Sequence, residues 1–197
     1  MTVKNNKRFS TQRMVLLSIL TALVAILSYA GSFIKIGGLA SISLTLVPVV
    51  VGAALCGPLS GAWLGGVSAV VFFMTPDAAF WFGLSIPGTI ITVIVKGCLA
   101  GLSAGLIYTL LERKNRYLAV LTSAVICPIV NTGIFLLGCR LFFYGAVVQM
   151  ATESGMRVGA FMILVFVGLN FVFELAANII LSPTILRIIN IRKGKAN

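Results

Sequence analysis

The sequence contains no histidine, and among its 197 residues there are only four carboxylates, Asp77, Glu112, Glu153 and Glu174. Without histidine there is no imidazole base, no imidazole metal ligand and no serine-histidine triad. The acids are scattered, so they suggest no metal cluster; no metal and no cofactor are expected, and enzyme chemistry is disfavoured. The cysteines, Cys56, Cys98, Cys127 and Cys139, have no CxxC spacing and fall in or beside apolar runs, where they read as small packing residues. No GxxxxGK[ST] phosphate loop is present, so ATP hydrolysis has to reside elsewhere.

Charged residues are few in total, 10% of the chain, while 59% of residues are hydrophobic and mean hydropathy is +1.11. Such a composition belongs in a bilayer. At roughly 20 apolar residues per crossing, the length accommodates six spans and no appended soluble domain. The expected fold is an all-α integral membrane protein of six transmembrane helices. The spans are read at about 14–31, 43–56, 60–74, 87–111, 117–143 and 158–186. Residues 75–85 (TPDAAFWFGLS) are expected to be an irregular aromatic loop, and 144–157 a polar connection.

The net charge of +11 would suggest nucleic acid in a soluble protein, but the position of the charges argues for lipid. Lys4, Lys7, Arg8 and Arg13 precede the first span, Arg113, Lys114 and Arg116 fill the 112–116 loop, and Arg187, Arg192, Lys193 and Lys195 follow the last span. With both termini cytoplasmic, six spans put all of these on one side and leave Lys35, Arg157 and Arg140 toward the other, as the positive-inside rule requires. Residues 1–13 thus read as a basic cytoplasmic leader, retained with the first helix. Residues 14–186 form the transmembrane domain and 187–197 a basic cytoplasmic tail.

Small residues recur every fourth position: Gly57, Gly61 and Gly65; Gly97, Gly101 and Gly105; and Ser18 with Ala22. One helix face without bulk lets another backbone approach, which drives association inside a membrane. The glycine ladders can pack within the chain or against a second copy. Ser18, Thr21, Ala22 and Ala25 give the first span a face suited to a partner membrane protein.

Polar groups at depth are costly and therefore informative. Lys96 lies nine residues into its span, about 13 Å at 1.5 Å per residue, beyond comfortable snorkelling. Thr92 lies one turn before it. Asn170, Glu174 and Asn178 make a stripe on the last span, and Asn131 and Phe135 share a face of the fifth. Lipid would not solvate these groups, so they face one another or a wet cavity. Two arrangements stay open. One is an internal Lys96–Glu174 pair; the other is a ligand pocket beneath Phe80, Trp81 and Phe82, closed by the loop that carries them. A self-contained proton-coupled carrier with Glu174 as relay is the rival reading.

The order and spacing of LTALVAIL, LTLVPVVVGAALCGPLSGAWLG, PGTIITVIVKGCLAGL and CPIVNTGIFLLGC resemble the substrate-binding S components of energy-coupling factor vitamin transporters, over essentially the whole chain. The resemblance implies one vitamin captured from outside the cell membrane of a bacterium, between helices four to six and the external loops. It also implies partners: a transmembrane coupling subunit and two ATPases, the former docked on the first helix at Ser18, Thr21, Ala22 and Ala25, where serine and threonine replace the family's alanines. Trp81, Thr92, Lys96, Asn131, Phe135, Asn170, Glu174 and Asn178 are the ligand candidates so implied. VPVVVGAALCGP and CPIVNTGIF look most like pantothenate-type members; a pyridoxine-like compound, riboflavin or folate are the other ligands within this reading.

Overall fold

The computed structural model describes residues 11–33 and 45–194, without the side chains of residues 169, 170 and 192–194. All secondary structure in these residues is helical: α1 (Thr11–Gly31), α2 (Leu46–Cys56), α3 (Pro58–Phe72), α4 (Pro76–Leu84), α5 (Ile86–Leu111), α6 (Arg116–Phe142), α7 (Tyr144–Glu153), α8 (Val158–Phe161), a π-helical turn at Met162–Val167, and α9 (Gly168–Gly194). The segments around Lys4, Lys7, Arg8, Lys35 and Lys195 lie outside the described residues.

Four helices are long and apolar enough to cross a membrane: α1, α5, α6 and Phe171–Ile191 of α9. The number rises to six if each of two sharply bent pairs is one span. The outer surface is apolar, with Leu141 74% and Ile180 73% exposed. Large aliphatic side chains on the outside and small ones inside are the reverse of a soluble bundle, and suit lipid as solvent.

α2 departs from an ordinary span. Its 11 residues reach only about 16 Å at 1.5 Å per residue, and eight of them are buried. It is the central strut of the bundle, its valines surrounded by other helices. Gly57 then turns the chain at φ +96°, a conformation that excludes most side chains, and Pro58 starts α3 at the position where proline is tolerated.

Neighbouring helices mesh through the glycine ladders. Gly61 faces the backbone of Gly101, Gly65 that of Gly97, and Gly105 faces Pro58, so α3 and α5 run antiparallel with main chains touching. The same approach brings Gly138 of α6 against Thr92 of α5, and Gly88 of α5 against Phe142. Gly61, Gly65, Gly97, Gly101 and Gly105 are therefore occupied by packing within the chain.

Three sequence expectations need correction. Residues 76–84 are not an irregular loop but the helix α4, bent by 84° from α3. One turn sends Trp81 inward and Phe80 outward, so three consecutive aromatics conceal a helical pattern. Much of the polar connection after α6 is the helix α7, with Val147 and Ala151 on its buried side. The last span is not continuous: α8 and the π turn meet α7 at 95°, and Gly168 breaks the path before α9 at φ 18°, ψ −133°. The uniformly apolar run VGAFMILVFVGL carries no proline to signal this break.

Two hydrophobic clusters result. One joins Val24, Val49, Val50, Leu64, Tyr108, Val120, Ile185 and Ile189 across the main helices. The other gathers Trp81, Phe143, Phe161 and Phe166 where α4, α7 and α8 meet.

Candidate ligand-binding cavity

A cavity of about 60 Å³ opens among α1, α2, α3, α5 and α6. Its polar lining is Lys96 and Asn131 on one side and Ser28, Ser32, Thr45, Ser68 and Thr75 on the other. Val49, Val93 and Phe72 are among its apolar members, and no carboxylate lines it among the described residues. Among those residues it holds one cation amid hydroxyls and one amide, an arrangement complementary to a small polar anion.

Lys96 reaches the cavity from the middle of α5, half-buried. Its Nζ lies 5.6 Å from the Phe72 ring centre and 5.1 Å from that of Phe135. These two faces partly replace lost hydration, since a desolvated ammonium is attracted to an aromatic quadrupole. Phe135 passes the contact on: its ring is 5.2 Å from Trp81 and 5.9 Å from Phe166. Trp81, 7% exposed, also packs on Phe143 at 5.3 Å. The cation of the cavity thus rests on the rim of the aromatic cluster.

In this structure α4 is held against α5 and the aromatic cluster. Thr89 Oγ1 donates to the Trp81 carbonyl at 2.8 Å, and Ser85 Oγ accepts from the Gly88 N–H at 3.2 Å, capping α5. With Trp81 buried as well, the expected lid is a docked helix.

The remaining sequence candidates surround the cavity without lining it. Thr92 is buried one turn before Lys96, against Gly138, and among the described residues its hydroxyl has no hydrogen-bond partner. Glu174 is buried on α9 and acts electrostatically on Lys96. Asn178 donates through Nδ2 to the Glu174 carbonyl at 2.9 Å, leaving its Oδ1 unpartnered among the described residues. The side chain of Asn170 lies outside the described residues. Of the seven candidates whose side chains are described, Lys96 and Asn131 line the cavity, while Phe135 packs on Lys96 and Trp81 packs on Phe135.

The cavity consequently sits toward α1–α3, not between the last three spans alone. Ser28, Ser32, Thr45, Ser68 and Thr75 were not among the sequence candidates. Hydroxyls in apolar helices commonly bond their own preceding turn, so their presence says little about position. The one signal available was the pair Ser28 and Ser32, four residues apart at the end of α1.

On the outside of α1 the small-residue face divides. Ser18 and Ala22 are exposed, whereas Thr21 and Ala25 are half-covered. Thr21 Oγ1 accepts from Trp63 Nε1 of α3 at 3.3 Å, which ties this register to the bundle. Arg140 is exposed at the end of α6, its guanidinium 4.9 Å from the Tyr144 ring.

A family model for the substrate-specific component of ECF transporters matches residues 12–186. No curated protein and no solved structure matches the chain.

Proposed function

The chain belongs to the ECF transporter substrate-specific component family, and on that footing we propose that it captures a small hydroxylated carboxylate of the pantothenate type. Members of this family are substrate-binding subunits of multi-pass membrane transporters, not enzymes. The observation that carries the ligand class is the placement of Lys96 and Asn131 on one wall of a cavity that no carboxylate lines among the described residues. An ammonium held off bulk water gains from a ligand carboxylate more than it would at the surface. Asn131 supplies both a donor and an acceptor for an amide, and pantothenate carries an amide as well as a carboxylate. Glu174 acts on Lys96 from the α9 side without lining the cavity, so the ammonium is the charged group that a ligand there meets among the described residues.

Energy for transport comes, in this reading, from a coupling subunit and two ATPases. The exposed Ser18–Ala22 register of α1 serves as the docking face, and both tails lie in the cytoplasm of a bacterial cell.

Isothermal titration of the purified chain in nanodiscs tests the ligand. Pantothenate binds, and pantothenol, in which an alcohol replaces the carboxylate, binds more weakly. Lys96→Met lowers pantothenate affinity by roughly 10- to 100-fold, the range of a charged hydrogen bond of about 1.5–3 kcal/mol, and removes the discrimination. Equal binding of the two compounds by the unaltered protein would overturn the assignment.

A further inference from the structure

The two walls of the cavity differ chemically, and the wall formed by α1, α2 and α3 has its own hydrogen-bond arithmetic. Serine and threonine hydroxyls in apolar helices usually donate to a carbonyl of the preceding turn, as Ser18, Thr21 and Ser60 do. Ser32 and Thr75 follow the habit, donating to the Tyr29 and Phe72 carbonyls, each at 2.7 Å. Their protons are thereby engaged, and only lone pairs face the cavity.

Ser28 and Ser68 behave otherwise. Their Oγ atoms lie 2.8 Å apart across the gap between α1 and α3, and Thr45 Oγ1 lies 3.4 Å from Ser68 Oγ. Two contacts among three hydroxyls engage two of the three protons, so among the described residues one O–H remains to be offered. A wall that presents one donor beside two acceptor-only hydroxyls matches a ligand hydroxyl, which both accepts and donates. It matches an apolar group poorly, because the remaining O–H would then be buried without an acceptor.

We propose that Ser28, Ser68 and Thr45 form a specificity subsite that reads the hydroxyl-bearing end of the ligand, across the cavity from the carboxylate held by Lys96. The proposal rests on the function given above, and it assigns the α1–α3 wall a part in choosing among carboxylates of similar size.

The test compares pantothenate, its analogue lacking the secondary hydroxyl, and pantothenol, by isothermal titration on the full chain in nanodiscs. The unaltered protein prefers pantothenate to the deoxy analogue by on the order of tenfold, the effect of one buried hydrogen bond. Ser68→Ala weakens pantothenate by that factor, leaves the deoxy analogue unchanged, and preserves the preference over pantothenol. Ser28→Ala and the near-isosteric Thr45→Val act in the same direction and stand in for Ser68→Ala should that variant misfold. Equal losses for pantothenate and its deoxy analogue would mean a structural role and overturn the subsite. Discrimination against pantothenol without discrimination against the deoxy analogue would overturn the subsite alone. Failure to bind any of the three would overturn the subsite together with the pantothenate reading.

Discussion

A methyl group added at Gly61, Gly65, Gly97 or Gly101 would strike the main chain of the opposite helix rather than a flexible side chain, and a backbone cannot step aside without moving its whole helix. Gly65→Ala and Gly101→Ala therefore destabilise the protein by about 1–3 kcal/mol, the usual cost of overpacking, read as a lower midpoint in thermal unfolding in detergent. Gly133→Ala, on a helix position with nothing within 4 Å of the added carbon, is neutral or mildly stabilising because alanine favours the helix. These glycines were legible in the sequence, since four-residue spacing puts them on one face whatever the partner. Lys96 and Asn131 were legible too, because an ammonium or an amide at membrane depth has few places to go. The hydroxyls of Ser28, Ser68 and Thr45 were not: each can be satisfied by its own helix, and only the meeting of α1, α2 and α3 sets them side by side.

At the scale of elements, legibility followed length. α1, α5 and α6 were read within a few residues because each is a long apolar run ended by glycine or by a polar break. α4 and α7 were missed as helices, since nine and ten residues give too few turns for a periodic pattern when nearly every position is apolar or aromatic. The structure of α4 has a spectroscopic consequence. Trp63 is 59% exposed on the lipid-facing side of α3 and Trp81 is 7% exposed within the aromatic cluster. With Trp81 as the single tryptophan, in Trp63→Phe, brominated lipid quenches emission weakly; with Trp63 as the single tryptophan, in Trp81→Phe, it quenches strongly. Equal quenching of the two would contradict the docked position of α4.

For the molecule as a whole, the charge pattern predicts the topology. The 112–116 loop and the residues after 186 hold basic clusters, so a membrane-impermeant maleimide added to intact cells fails to label Lys114→Cys in a cysteine-free background and labels Met156→Cys. The reverse pattern would invert the orientation. A bundle of membrane-crossing helices was visible in the sequence because each crossing has to be apolar, and so was the shortness of the second span, 43–56, but the break at Gly168 and the enclosure of α2 by other helices were not. Both depend on which helices surround a segment, and hydropathy does not report that.

The backbone meshing of α3 with α5 also governs how the chamber beside it can deform. That side has no side-chain slack to take up, and α2 is enclosed on nearly every face, whereas α1 buries only Leu20, Val24 and Gly31 of its 21 residues. Compliance is thus unequal around the circumference: a guest bulkier than the resting void would meet the least packing resistance at α1, the least buried of the four long apolar helices and the one that exposes Ser18 and Ala22.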